Sequence, residues 1–367
     1  MVRTLELIES HVSARTRWHF LVLHDGNSIA VGECSDAGAT AKVVERLIKL
    51  CPLLADRDLL TERDAIVGEL EREVVFASDE DVFVAATVMG GLEQLLIDHA
   101  AQADGEPVWK WLGGNPTEYV QLYANINRMP GGRTPSDVAG MARRAVAAGF
   151  TAIKCAPFDV QEPGESLVDI GLARLRAIRT VVGYDIELKV DCHERLTADE
   201  VHHILPALED LDIGWLEDAF AIDQTDDLRT LRATTDLPLA GGELMFHQDE
   251  ARTAIAEQLI DVLMPDVKHA GGIKRLLSIA RAAPDLEISP HNPSGPVATA
   301  ASAQLLAACP NATVLEYQFG ETPWRNDLVG GNEHIVDGRI RLSDRPGLGV
   351  VFQPEHPSCR VVWSTNI

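Results

Sequence analysis

From about residue 120 the chain repeats one pattern: a short apolar run, a polar turn, then a stretch whose apolar residues recur at helical spacing. The apolar runs are VQLYANI, AIKCA, IELKVDC, IGWLED, LAGGE, DVLMPDV, LEISPH and TVLEYQF, and the stretches between them include PSDVAGMARRAVAAG, VDIGLARLRAIRTVVG and IKRLLSIARAA. Eight strand-then-helix units in series imply a parallel sheet, and eight is the number that closes into a (β/α)8 barrel. The earlier part reads differently. TRWHFLVLHDG and SIAVGECS flank an Asp-Gly turn signal, and TAKVVERLIKLCPLLA and DVFVAATVMGGLEQLLIDHAAQADG have helical periodicity. The expected organisation is an α+β module over residues 1–118, a barrel over 119–335, and a strand-and-loop segment over 336–367 that returns to pack on the first module.

Composition changes this picture little: 367 residues, 46% hydrophobic and 24% charged, suit an ordinary globular chain with a large core. A net charge of −24 argues against nucleic acid and anionic membrane as partners. It leaves room for an anionic small molecule, because a metal or a local cluster of cations can reverse the field inside one cleft. No apolar h-region opens the chain and no uninterrupted apolar run approaches membrane-spanning length, so a cytoplasmic enzyme is expected. The six cysteines lack CxxC pairing and read as reduced and structural.

Candidate chemistry sits where each apolar run ends. Lys154, Asp191, Glu217, Glu243, Asp266, His291 and Glu316 close successive runs, and from Asp191 onward they recur every 23 to 26 residues. In a barrel those ends share one face, the face on which the βα loops build active sites. Three acids on consecutive strands repel one another unless a cation holds them, so Asp191, Glu217 and Glu243 are expected to bind a hard divalent ion, Mg²⁺ being the most plausible. Asp266 and His291 fall on adjacent strands, where a carboxylate bonded to one ring nitrogen would orient the imidazole and raise its basicity.

Taken together, Asp191 in VDCH, Glu217 in WLED, Glu243 in AGGE, the segment MPDVKHAGG and the segment SPHNPSGP resemble the enolase superfamily, mandelate racemase subgroup. The resemblance covers nearly the whole chain and implies an enolase-like barrel with an N-terminal capping domain completed by the C-terminal tail. It implies removal of a proton α to a carboxylate, with one Mg²⁺ and Lys154 neutralising the enediolate that forms. The racemase's second base is missing, since Lys154 is followed by Cys155 and Ala156, and Asp266 stands where epimerases and cycloisomerases of the family carry a lysine.

The likeness is greatest to the acid-sugar dehydratases, galactonate dehydratase in particular. It implies His291, oriented by Asp266, as base at C2, and His193 as acid on the C3 hydroxyl, giving a 2-keto-3-deoxy acid. Period-2 alternation is expected to bring His193 to the same side as Asp191. Glu316 is expected to hydrogen-bond the enediolate oxygen if protonated. Asn125, Arg17, Trp18 and Lys268 are the expected substrate contacts, with Arg15 beside them in the loop SARTRWH. His269 and His247 are set aside on parity and loop position. An epimerase or cycloisomerase using the same groups, and a sugar-acid-binding regulator without turnover, are the competing readings. The expected partner is a small carboxylate substrate, and a homo-oligomer is expected by family likeness.

Overall fold

The computed structural model describes residues 3–75, 77, 79–115, 117–161, 163–246 and 248–367. Three antiparallel strands open the chain, β1 (Thr4–His11), β2 (Arg17–Asp25) and β3 (Ser28–Glu33), followed by helices α1 (Thr40–Leu50), α2 (Arg63–Val75), α3 (Asp79–Asp104) and the single turn α4 (Val108–Trp111). Leu5, Leu7, Leu21 and Leu23 alternate onto one face of this sheet and pack with Leu47, Leu70, Leu92 and Leu96 of the helices, a core separate from that of the barrel. Residues 81–104 of α3 are long and apolar enough to cross a membrane, although Glu93 and Asp98 interrupt the apolar run. The helix is mostly buried inside the protein, so packing accounts for its apolar surface.

The repeat then unfolds as expected: β4 (Tyr119–Asn125), α5 (Pro135–Ala147), β5 (Ala152–Cys155), α6 (Leu167–Val182), β6 (Glu187–Asp191), α7 (Ala198–Asp210), β7 (Ile213–Glu217), α8 (Thr225–Arg232), β8 (Leu239–Gly241), α9 (Arg252–Ala256), β9 (Val262–Leu263), α10 (Ile273–Ala282), β10 (Glu287–Ile288), α11 (Pro296–Leu306) and β11 (Leu315–Gln318). Neighbouring strands pair in parallel from β4 round to β10, and β11 pairs with β4. The ring closes between β10 and the chain just before β11, where Ile288 N–H donates to Asn311 O and Thr313 N–H to Ile288 O. Helix starts are signalled locally: Thr134 and Asp137 form a capping box on α5, and Thr197 and Glu200 do the same on α7.

The tail does two things. The hairpin of β12 (Ile335–Val336) and β13 (Arg339–Arg341) joins the barrel, β13 running antiparallel to β4. β14 (Cys359–Asn366) reaches the first module, where it pairs antiparallel with β1, and earlier in the tail Leu348 N–H donates to Asp98 Oδ1 of α3 at 2.7 Å and Phe352 packs on Phe20 of β2.

The first module is bolted to the barrel by carboxylates placed on helix N-termini. Glu33 accepts the N–H groups of Gly295 and Ala298 at the start of α11, at 2.7 and 2.8 Å. Glu93 on α3 accepts those of Ile273 and Lys274 at the start of α10, at 2.7 and 3.0 Å. Each satisfies N–H groups that have no intrahelical partner and faces the positive end of the helix dipole. At the same junction α3 passes so close that a Cβ on Gly90 would lie 2.2 Å from the carbonyl oxygen of Lys268.

Gly90→Ala must therefore push α3 off the barrel, and a loss of about 3 kcal/mol or failure to fold is expected in thermal melts. Burial raises the Glu93 pKa to about 7 against its two N–H bonds. Between the ordinary carboxyl value and about 7 the folded state keeps a proton that the unfolded state has released, so stability falls as pH rises through that window. In urea unfolding, wild type is expected to lose on the order of 2 kcal/mol more than Glu93→Gln between about pH 5 and pH 8.

Candidate active site

The C-terminal mouth of the barrel opens into a cavity of about 780 Å³, its wall including Asn125, Lys154, Asp191, His193, Glu243 and His291. Asp191 and Glu217 are the last residues of β6 and β7 and stand side by side in the ladder. Glu243, Asp266 and His291 lie two or three residues beyond β8, β9 and β10, so they belong to loops and not to strand ends. Glu316 is the second residue of β11.

Lys154 is the hub. Its ammonium is 2.5 Å from Glu217 Oε1, 2.9 Å from Glu316 Oε1 and 3.4 Å from Asp191 Oδ2. Burial alone would lower its pKa, but Glu217 and Glu316 outweigh that and raise it, so Lys154 stays cationic. One ammonium does not balance these acids. Burial and then Asp191 raise the Glu217 pKa, while burial followed by Asp218, Asp191 and Glu217 raises that of Glu243. Asp218, next in the chain and also buried, is pushed up to about 7 by burial and then Asp191.

Glu316 differs from expectation. Burial would raise its pKa, but Lys154, His291 and the Asn292 N–H bring it below the ordinary range. It accepts from Asn125 Nδ2 at 2.6 Å and from Asn292 N–H at 2.7 Å, so it is an ionised acceptor and not a protonated donor.

His193 meets Asp191, though not by strand alternation. The strand ends at Asp191, and His193 has φ 46°, a left-handed conformation that folds its ring back. Nδ1 lies 2.7 Å from Asp159 Oδ1 and Nε2 3.0 Å from Asp191 Oδ2. Burial would lower the His193 pKa, but hydrogen bonds to the two carboxylates outweigh it and lift the value to about 11, so the ring is an imidazolium at neutral pH. The same contacts help bring Asp191 down to about 2 against burial, with Lys154 contributing most.

On the opposite arc His291 Nδ1 is 2.9 Å from Asp266 Oδ2 and Nε2 is 3.1 Å from Glu243 Oε2. Asp266 is fully buried; burial would raise its pKa, but Lys268, His269 and His291 hold it well below the carboxylate range. Two imidazoles thus line one cavity, each between two carboxylates: His193 between Asp159 and Asp191, and His291 between Asp266 and Glu243.

A family model, "Enolase C-terminal domain-like", matches residues 137–356. The chain belongs to that family. It is 32% identical to a D-galactonate dehydratase of Verminephrobacter eiseniae, across 91% of this chain and 88% of that one. A D-xylonate dehydratase of Haloferax volcanii is 27% identical, covering 90% and 82%. The mandelate racemase/muconate lactonizing enzyme-like protein of Rubrobacter xylanophilus superposes with a TM-score of 0.86 at 27% identity over 96% of this chain and 95% of that one.

Within this enolase-type site some expected contacts are displaced. Because β2 begins at Arg17, the residues of SARTRWH are loop only through Thr16. Arg17 points outward, its side chain mostly exposed and 3.9 Å from Glu9. Trp18 alternates inward, fully buried and edge-on to Phe20 and Trp324. Neither lies on the cavity wall, where the loop instead presents Arg15. Lys268 is also fully buried, 2.6 Å from Asp266 Oδ2 and bonded to Ser294 Oγ, so its partner is an acid and not a cavity ligand.

Asp159, Arg128 and His269 reach the wall unforeseen. Asp159 comes from the loop after β5, which has no periodicity to read. His269 comes from a turn where strand parity has no meaning; it bonds Thr87 Oγ1 at 3.0 Å, and burial holds its pKa down to about 4. His247 lies outside the described residues.

Two groups could hold a cation. Among the described residues Asp266, His269 and His291 present ligand atoms all within 4.8 Å of one another, but Lys268 already supplies positive charge there. Asp191, Glu217 and Glu243 are oxygen-only donors, and as placed each leans on a protein cation or imidazole. Among the described residues Glu243 Oε2 is buried without a hydrogen bond despite its approach to His291. An orphaned carboxylate oxygen in a cluster of buried acids fits a hard divalent ion. In EDTA-treated protein, Mg²⁺ at millimolar concentration is expected to raise Tm by a few degrees, and Glu217→Gln with Glu243→Gln to abolish the shift.

Proposed function

We propose that this protein dehydrates a sugar acid, an aldonate or aldarate, to a 2-keto-3-deoxy acid. The observation that carries the reading is the pairing across one cavity of His193, held between Asp159 and Asp191, with the His291–Asp266 dyad. A positioned base and a positioned acid facing one substrate are what β-elimination of water needs. The dehydratase names of relatives at 27–32% identity point the same way.

His291 Nε2, the nitrogen turned away from Asp266, takes the C2 proton, and the electron pair moves into the carboxylate to give an enediolate. Asp191, Glu217 and Glu243 would hold Mg²⁺, the metal generally used in this superfamily, which would supply positive charge to the substrate carboxylate. Lys154, already cationic and buried, adds charge from the chain itself. Collapse of the enediolate breaks the C3–O bond while His193 delivers its proton, so hydroxide leaves as water. The resulting enol tautomerises to the 2-keto acid. Asp159 keeps His193 protonated and aimed, and Asp266 fixes the His291 tautomer.

A screen of aldonic and aldaric acids with Mg²⁺, read by semicarbazide, should find a substrate, and proton NMR in D2O separates the steps. His291→Asn should abolish both C2 exchange and dehydration. His193→Asn should cut dehydration by about 10²-fold or more while C2 exchange persists. Return of C2-labelled substrate with no keto product from wild type would make the protein an epimerase instead, and tight binding without any turnover would make it a regulator.

A further inference from the structure

A second chamber of about 190 Å³ adjoins the catalytic cavity, and the two share Arg15, Asn127, Arg133, Asp159 and Val160 in their walls. Arg174 and Arg195 complete a set of four guanidiniums around the smaller space. They arrive from separate parts of the chain: Arg15 from the loop between β1 and β2, Arg133 from the loop after β4, Arg174 from α6 and Arg195 from the loop after β6. In a protein with net charge −24 such a convergence runs against the overall field.

None of the four forms an ion pair with a described carboxylate. Arg174 is buried and donates to the carbonyls of Arg133, Pro157 and Val160, each at 2.6 Å. Arg133 donates to the carbonyls of Asn127, Met129 and Gly132. Carbonyl oxygens satisfy the donors but leave the positive charge uncompensated. Arg179 is also held by carbonyls, at 2.6 to 3.0 Å. Arg15 and Arg195 are exposed, and their guanidiniums make no hydrogen bond within the described residues. Among the described residues the only acid on the chamber wall is Asp159, which His193 engages at 2.7 Å. Burial depresses the Arg133 pKa, and Arg15 and Arg174 depress it further, as expected of cations that lack a counter-ion.

We infer that the substrate carries a second anionic group, at the end remote from the carboxylate that activates C2, and that this group is bound in the arginine chamber by Arg15, Arg133, Arg174 and Arg195. This rests on the sugar-acid dehydratase reading and narrows it from aldonates or aldarates to acids with a second anionic end, aldarates or phosphorylated acids, against the aldonates named for the relatives above. A terminal carboxylate and a terminal phosphate present the same chemistry to planar guanidiniums. A terminal CH2OH would leave the charge of the chamber unanswered.

The test compares an aldonate, the aldarate and the aldonate 6-phosphate of one configuration, across several configurations, by kcat/KM with Mg²⁺. In parallel, calorimetry measures their binding to the His291→Asn protein. Arg15→Met and Arg195→Met are the informative variants because their side chains hold no internal bond whose loss would unfold the chain. A tenfold or greater preference for one doubly anionic substrate over its aldonate, reduced toward unity in the double variant, is expected, and the arm that shows it identifies carboxylate or phosphate. Equal or better use of the aldonate would overturn the inference and leave the dehydratase reading intact. If no sugar acid is turned over, the dehydratase reading fails. The binding ratio then still decides the chamber: a diacid or phosphate preference that depends on Arg15 and Arg195 supports it, and its absence overturns it.

Discussion

Crowded negative charge in a dry place is the constraint around which the rest of this molecule is arranged. Asp191, Glu217, Glu243 and Glu316 converge at one end of the barrel, all but Glu243 nearly or fully inaccessible, with Lys154 as the ammonium at their centre. Burying one unpaired carboxylate costs several kcal/mol, and burying neighbours costs more. The barrel can hold the group because its strands and the loops after them are fixed by an extensive apolar core. A less rigid frame would let the acids swing to solvent. The strain of the arrangement is visible in the raised pKa values of Glu217 and Glu243, and it is what makes the site receptive to cationic charge.

The same electrostatics divides the two histidines. His193 sits between two carboxylates in a left-handed backbone conformation and is driven to its cationic form. His291 shares Asp266 with Lys268, so the carboxylate that orients it is already partly neutralised. Backbone conformation and the surrounding acids thus distinguish two sites built from the same residue type.

The N-terminal module does more than cover the mouth. Glu33 and Glu93 cap the two helices that follow the loops of His291 and Asp266, and Gly90 brings α3 against the backbone of Lys268. The position of the dyad is therefore set partly by a different layer of the protein, through helix capping and close backbone approach. Arg15 enters the cavity from that module as well, so part of the cavity wall depends on how the two parts pack.

Alternation of short apolar runs with amphipathic stretches was enough to determine the eight-fold barrel, because each unit has to bury a strand on both sides and a helix on one. The recurrence of Asp191, Glu217, Glu243, Asp266, His291 and Glu316 every 23 to 26 residues followed from the same periodicity and pointed to one shared face. Strand ends were less legible: Glu243, Asp266 and His291 lie past them, since where a strand stops pairing depends on its neighbours. What only the tertiary structure decided is whatever loops and the other module bring in. Arg17 and Trp18 exchanged places with Arg15 because β2 started two residues before the end of the segment read as loop, and alternation then sent one out and one in. Lys268 went to Asp266, Asp159 to His193, and four distant arginines to one chamber. Spacing along a chain reports which side of an element a residue faces; it carries no information on which remote charge will be there to meet it, because that is settled by packing between elements and by the cost of leaving a buried charge alone.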